Sequence, residues 1–238
     1  MSNIQALNGV QHKTLRIKPD TSFAHARHHH VVPVVIHEFA AAAQDYPIVF
    51  IKDADTGRFN AVALLGLKAG ENLFYHERAW QGMHRPEEYG CFPFTLRVHS
   101  DRAEEGLLCI DRNAPIVNEH EGERLFDNDG EQTPFLKSMA RRLTDLASKK
   151  VVTTQFIATL LDKKLLTAST LQINLSNENY QLTGIYAIDE NALNAMSDQD
   201  FCQLKAKGYL VPVYASLLSL QNVQRMIRMK SGADSYDR

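Results

Sequence analysis

The sequence predicts an α+β fold with a mixed or mainly antiparallel sheet and several flanking helices, the helices concentrated in the C-terminal half. Three observations predict it. Strand-like runs come mostly early, amphipathic runs of helical period mostly late, and no strict strand–helix–strand alternation links them. The proportions are ordinary for a globular chain: 238 residues, 44% apolar and 23% charged, with 12 glycines and 8 prolines. A chain of that length buries enough surface to fold without disulfides or a structural metal.

Taken in order, residues 1–30 are polar and end in Ala24-His25-Ala26-Arg27-His28-His29-His30, an N-terminal arm free to move. Residues 34–44 read as a short helix. Pro33 suits its first turn, Ile36, Phe39, Ala40 and Ala43 share a face, and Pro47 forbids continuation. Residues 46–52 and 59–67 are β-rich runs joined by Asp53-Ala-Asp-Thr-Gly57, the pattern of a hairpin. Further strands are expected at 72–76, 94–99 and 106–111. Thr133-Pro134 opens a helix to residue 148 whose stripe is Phe135, Met139, Leu143 and Leu146.

A second helix is expected over 153–166 with Phe156, Ile157, Leu160 and Leu161 inward, and Lys149-Lys150 is the best internal seam. Strands at 171–175 and 181–188 flank a turn at 176–179. Asp189 and Ser197 look like successive N-caps, the latter in a capping box with Asp200 in the place of Glu or Gln. A last helix covers 214–229, with Arg225, Arg228 and Lys230 near its negative end. The organisation is thus an arm (1–30), one α+β domain (31–230) and a flexible tail (231–238).

Composition narrows the function classes. Twenty-six basic against 28 acidic residues leave a net charge of −2, without the basic excess of a nucleic-acid protein. Cys91, Cys109 and Cys202 are too few and too scattered for a disulfide framework, and none forms CxxC. The N-terminus lacks the apolar core of a secretory signal. The longest apolar runs, 39–43 and 61–65, fall far short of the ~20 residues that span a bilayer. The expectation is a cytoplasmic protein without a membrane span.

All ten histidines lie in the first 120 residues. A metal site drawing on His28, His30, His37, His76 or His84 is one reading, since neutral imidazole ligates iron, zinc or copper. Against it, the adjacent histidines diverge along an extended chain, and there is no HExxH. His99-Ser-Asp101 matches the HxD of a facial-triad iron site, but His120 follows only 19 residues after Asp101. The turns starting at Asp53 and Asp127 mimic calcium loops, yet their twelfth positions are Leu64 and Ser138 instead of Glu, so they read as turns. No GxSxG, Walker A or GxGxxG is present. Cys91 pairs on paper with His84 or His99, and buried, inert thiols are the simpler reading. No cofactor is expected.

The densest stretch of unusual residues is 71–94, ENLFYHERAWQGMHRPEEYGCFPF. It holds the single tryptophan among other aromatics, arginines and histidines. Rigid aromatics beside charged groups suit recognition, and the candidate ligand-binding residues are Trp80, Tyr75, His76, Arg78, His84, Arg85 and Tyr89. The alternative is a structural loop whose Trp80 plugs the core.

An ordered series of motifs resembles the bacterial SapC family. It runs through Tyr46-Pro-Ile-Val-Phe50, Ala63-Leu-Leu-Gly-Leu67, Glu71-Asn-Leu-Phe74, Trp80, Pro86 and Phe92-Pro-Phe94. It continues with Leu108-Cys-Ile-Asp111, Leu125-Phe-Asp127, Gly130 and Leu182-Thr-Gly-Ile-Tyr-Ala-Ile-Asp-Glu190. Leu193, 198–201, Gly208-Tyr-Leu210, Tyr214-Ala215 and 217–220 complete it, so the likeness covers about residues 34–225. Relatives often carry Arg-Arg before the Pro-Phe, where this chain has Gly90-Cys91-Phe92.

The resemblance implies a protein connected with surface-layer or outer-membrane uptake systems, with links to uptake receptors and flavin-dependent halogenase-like enzymes. It transfers no catalytic residue. The expected function is an accessory protein that binds a peptide, glycan or partner protein without catalysis, self-association being left open. A metal-dependent oxygenase- or hydrolase-like enzyme using the N-terminal-half histidines is the alternative.

Overall fold

The computed structural model describes residues 2–99, 102–174 and 178–232. In chain order the elements are β1 (Ile4–Ala6), β2 (Arg16–Ile17), β3 (Val31–Pro33), α1 (Phe39–Ala42), β4 (Ile48–Lys52), β5 (Phe59–Leu64), β6 (Tyr75–His76) and β7 (Ala79–Trp80). Then come β8 (Phe94–His99), β9 (Arg102–Asp111), β10 (Val117–Asn118), β11 (Glu123–Arg124), α2 (Pro134–Asp162), β12 (Leu166–Asn174) and β13 (Asn179–Ile188). Helices α3 (Glu190–Asn194), α4 (Asp198–Ala206), α5 (Leu210–Ser219) and α6 (Asn222–Ser231) close the chain. The sheets are antiparallel and the longer helices lie late, so the class is α+β.

The chain divides into two compact units, Met1–Ser22 with Glu88–Ser148, and Phe23–Glu87 with Lys149–Arg238. The first unit holds the sheet β1-β9-β8 and the small sheet β10-β2-β11. Its buried side chains include Leu15, Phe94, Ile110, Leu125, Leu136, Leu143 and Leu146. Thr133 starts α2 as its sequence foretells: its hydroxyl accepts from the Leu136 N–H at 3.3 Å and donates to the Arg124 carbonyl at 2.7 Å. The Asp127 carboxylate collects the N–H groups of Asp129 and Glu131, each at 2.9 Å, which makes this segment a turn. At Gly90 the Arg142 guanidinium occupies the space a Cβ would need.

The arm residues of the sequence reading are distributed between the units. Ile4–Ala6 and Arg16–Ile17 are strands of the first, and buried Phe23 and Ala26 belong to the second. Of the tail, residues 233–238 lie outside the described residues.

The second unit is built on a five-stranded sheet of order β12-β13-β4-β5-β3. The β4–β5 hairpin pairs Ile48 with Ala63 and Lys52 with Phe59, and Asp53 Oδ1 closes its turn by accepting from the Thr56 N–H at 2.7 Å. Ile48, Val49 and Phe50 are all buried, as a central strand covered on both faces requires. Phe50 meets Phe156, which stands edge-on to Phe39 at 6.0 Å and to Tyr209 at 5.1 Å. Two buried serines of α5 serve the backbone of Ile48: Ser219 Oγ accepts its N–H at 2.8 Å and Ser216 Oγ donates to its carbonyl at 3.2 Å.

Several sequence expectations are corrected. The strand at 72–76 shrinks to Tyr75–His76, because the Asn72 side chain turns the chain by accepting from the Phe74 N–H and donating to the Ala26 carbonyl. The helices expected over 133–148 and 153–166 join as one, α2, through Lys149-Lys150, and the seam read there coincides with the unit boundary between Ser148 and Lys149. Residue 166 opens β12 instead of closing a helix. Leu161 is exposed, and in the short helix Ala42, not Ala40, is buried. The last helix is two, α5 and α6. Around Leu220 the bonds tighten to i−3, and the Asn222 amide reaches the Ala43 carbonyl at 2.7 Å. Asp189 and Ser197 are N-caps, accepting from the N–H groups of Ala192 and Asp200. Of the turn at 176–179, residues 176 and 177 lie outside the described residues, as does Asp101 of the HxD sequence.

Candidate functional site

Within the second unit, two buried carboxylates organise the stretch that follows Trp80. Glu38 sits at the end of a 3-10 turn before α1. Its Oε1 accepts from the Val35 N–H at 3.0 Å, and its Oε2 takes both the Glu87 N–H at 3.0 Å and His84 Nε2 at 2.7 Å. Asp45, wholly buried, accepts from the His84 N–H at 2.7 Å and from the Arg225 guanidinium at 2.5 Å. Arg225 in turn lies over the Phe74 ring. A buried carboxylate needs such partners, and each of these has them. Glu87 continues the series through its salt bridge to Lys149 at 2.8 Å.

The aromatic half of the site is centred on Tyr46. Its hydroxyl donates to the His84 carbonyl and accepts from Trp80 Nε1 at 3.0 Å. Burial pushes the phenol pKa well up, so the hydroxyl keeps its proton. Phe74 stands edge-on to Tyr46 at 4.6 Å and stacks on Trp80 at 6.4 Å. Phe23, in the left-handed region at φ 59°, packs its ring 5.8 Å from Trp80 and beneath the Arg85 guanidinium. Gly82 is required by close approach, since a Cβ there would stand 2.1 Å from the Tyr46 hydroxyl.

Outside this anchor the chain faces solvent. The β6–β7 hairpin pairs Tyr75 with Trp80 and His76 with Ala79, leaving Glu77 and Arg78 as its two-residue tip at φ 50° and 63°. Two consecutive left-handed residues are the geometry of a type I′ turn, normally filled by Asn or Gly. A charged pair there is conformationally costly. His76, Arg78 and Arg85 are exposed, Tyr75 half-buried, and Met83 is 83% exposed between the anchored Trp80 and His84.

The structure therefore brings Tyr75, His76, Arg78, Trp80, His84 and Arg85 into one segment with distinct roles. Trp80 spends its ring nitrogen on Tyr46 and the His84 carbonyl, as a plug would. Tyr89 lies in the other unit, buried, its phenol pKa pushed up by burial and by Glu88. The sequence reading missed Glu38, Asp45, Tyr46, Arg225 and Met83 as members. The one signal for them was an acid set directly before the apolar run 39–43.

Chemically, Glu38 orients the His84 imidazole, whose Nδ1 makes no protein hydrogen bond among the described residues, and the side chain is 17% exposed. No serine, threonine or cysteine hydrogen-bonds that ring among the described residues. His28 is tied to the Gly70 carbonyl and the Arg27 side chain, while His37 and His76 are exposed. Among the described residues no group of three or more His, Cys, Asp or Glu is placed to hold a metal ion. Cys91 and Cys109 are buried, but Cys202 is exposed. No helix among the described residues is long and apolar enough to cross a membrane.

The family model described as SapC matches residues 7–226 of the chain. No curated protein and no solved structure matches it.

Proposed function

Since the chain belongs to the SapC family, we propose that it is a bacterial accessory protein of the cytoplasm that serves surface-layer or outer-membrane uptake systems. It recognises a peptide, glycan or partner protein and makes or breaks no bond in it. The partner is an uptake receptor or a flavin-dependent halogenase-like enzyme, or a substrate passing between such proteins. One observation carries this reading: the segment after β5 is fixed from beneath at Trp80, His84 and Glu87, and holds Met83, Arg78, His76 and Arg85 toward solvent. A surface that is rigid before contact loses little conformational entropy on binding, and an exposed Met with flanking arginines supplies an adaptable apolar centre inside a cationic rim.

A photo-crosslinking amino acid placed at Met83 in living cells tests it, with the exposed α4 residue Gln199 as control. The expected result is a discrete adduct from position 83, absent from 199 and lost when Arg78→Ala and Arg85→Ala are combined. Labelling at 83 no stronger than at 199, or an adduct indifferent to both arginines, overturns the reading. Elemental analysis of untagged protein separates it from a metal enzyme built on His28, His30, His37, His76 and His84. Less than about a tenth of an equivalent of transition metal after reconstitution is expected, and stoichiometric metal would contradict it.

A further inference from the structure

Strand β12 is an outer edge of the five-stranded sheet, paired on one side with β13 and with no other strand. It runs for nine residues, Leu166–Asn174, and from residue 165 to 177 the sequence holds neither a charged residue nor a proline. The other long sheets guard their edges. β3 has three residues and carries Pro33, β1 has three, and β8 carries exposed Arg97. Brevity, proline and charge keep a sheet edge from templating further strands, and β12 has none of them. The hairpin does contain a bulge, but its extra residue lies in β13, where Thr183 and Gly184 stand against the single Thr170. The edge strand itself stays regular. Leu165 directs its carbonyl to the Asp189 N–H at 2.9 Å. Alternation from there turns the N–H and C=O groups of Leu166, Ala168, Thr170 and Gln172 away from β13, and no backbone group of another described segment bonds to them.

A row of backbone donors and acceptors is satisfied by another extended strand. An unguarded edge needs its cover whenever the folded chain is present, since an open one recruits further strands. A second copy is always there at the chain's own concentration, whereas a peptide that comes and goes is not. The copy also fits. β12 has no charge to set like against like, and antiparallel pairing about its midpoint, Thr170, opposes Ala168 to Gln172 and Ser169 to Leu171. Residues of like parity meet, so half-buried Leu171 and buried Ile173 keep the same face in both copies. We infer that the chain forms a two-fold dimer in which β12 pairs with β12 of a second copy and joins the two five-stranded sheets into one. This goes beyond the recognition loop and does not depend on it.

Sedimentation of the full-length protein across a concentration series tests it. The wild type sediments as a species of twice the 26.9 kDa chain mass. Ala168→Lys combined with Gln172→Lys, both at exposed positions, sets like charges opposite one another twice across the axis and raises the dimer Kd about tenfold or more. Ala168→Lys combined with Gln172→Glu sets opposite charges at the same places and leaves the dimer at least as tight as the wild type. Circular dichroism confirms that each variant is folded. A wild type that is monomeric throughout the series overturns the inference, and so does a dimer indifferent to the two lysines. A dimer that both double variants loosen alike overturns it too, because the charges then do not meet as antiparallel pairing about Thr170 requires.

Discussion

Glu38 accepts from three donors that lie 3, 46 and 49 residues away along the chain: Val35 N–H, His84 Nε2 and Glu87 N–H. Glu38→Ala strands all three in a buried site and is expected to cost about 3 kcal/mol. Glu38→Gln keeps one acceptor oxygen and is expected to lose about half as much. Urea denaturation followed by fluorescence measures both, and Trp80 is the sole tryptophan, so the signal comes from the site. A neutral Glu38→Ala would contradict the geometry.

His12, in the first unit, makes a different prediction. Its Nδ1 accepts from the Asn8 N–H at 3.0 Å, which leaves Nε2–H to donate to Gln5 Oε1 at 3.2 Å. Burial first, and then the Arg112 charge, hold its pKa below the ordinary 6.5. The unfolded chain therefore takes up a proton near pH 6.5 that native His12 resists. The stabilisation is complete above that value and drains away as pH falls from it toward the depressed native pKa. Between pH 7.5 and 5.5 the wild type should lose stability relative to His12→Gln. A difference independent of pH would refute the neutral, buried imidazole.

At the level of elements, α2 shows why part of the fold escaped the sequence. Leu143, Leu146, Thr153, Phe156 and Leu160 are all buried, and their spacing is one helical stripe interrupted only where Lys149-Lys150 stands. The lysines divide the stripe into two expected helices because their charge hides a helical position: Lys149 is half-buried and satisfied by Glu87 from a distant segment. Lys150→Pro, at an exposed position, is expected to cost about 3 kcal/mol or more in thermal or urea denaturation, as in any helix interior. A linker would tolerate it.

The β6–β7 tip reads the other way. Replacing Glu77-Arg78 by Asn-Gly supplies residues suited to positive φ and should stabilise the fold by about 1 kcal/mol. It should also weaken the crosslink at position 83, because it removes Arg78 from the contact surface. Unchanged stability would mean that the tip stores no strain.

For the whole molecule, what was legible is what local chemistry encodes. The β4–β5 hairpin follows from two β-rich apolar runs around an Asp–Gly turn, and the helix starts follow from Thr133, Asp189 and Ser197 as caps. The site was half legible. Trp80, His84 and the arginines stand out by residue type, whereas buried Asp45 meets its charged partner, Arg225, 180 residues away. No local pattern distinguishes such an acid from a surface one. The early strands and late helices fixed the class but not the pairing of β13 with β4, which joins residues over 130 apart in sequence.

Amide hydrogen exchange on the full-length protein tests the anchored loop most directly. The N–H groups of His84 and Glu87, held by Asp45 and Glu38, should exchange as slowly as those of the buried strand β4, while Glu77, Arg78 and Met83 exchange quickly; Glu38→Ala should release Glu87. Fast exchange at His84 and Glu87 in the wild type would mean that this segment is not pinned, and the rigid contact surface would be contradicted.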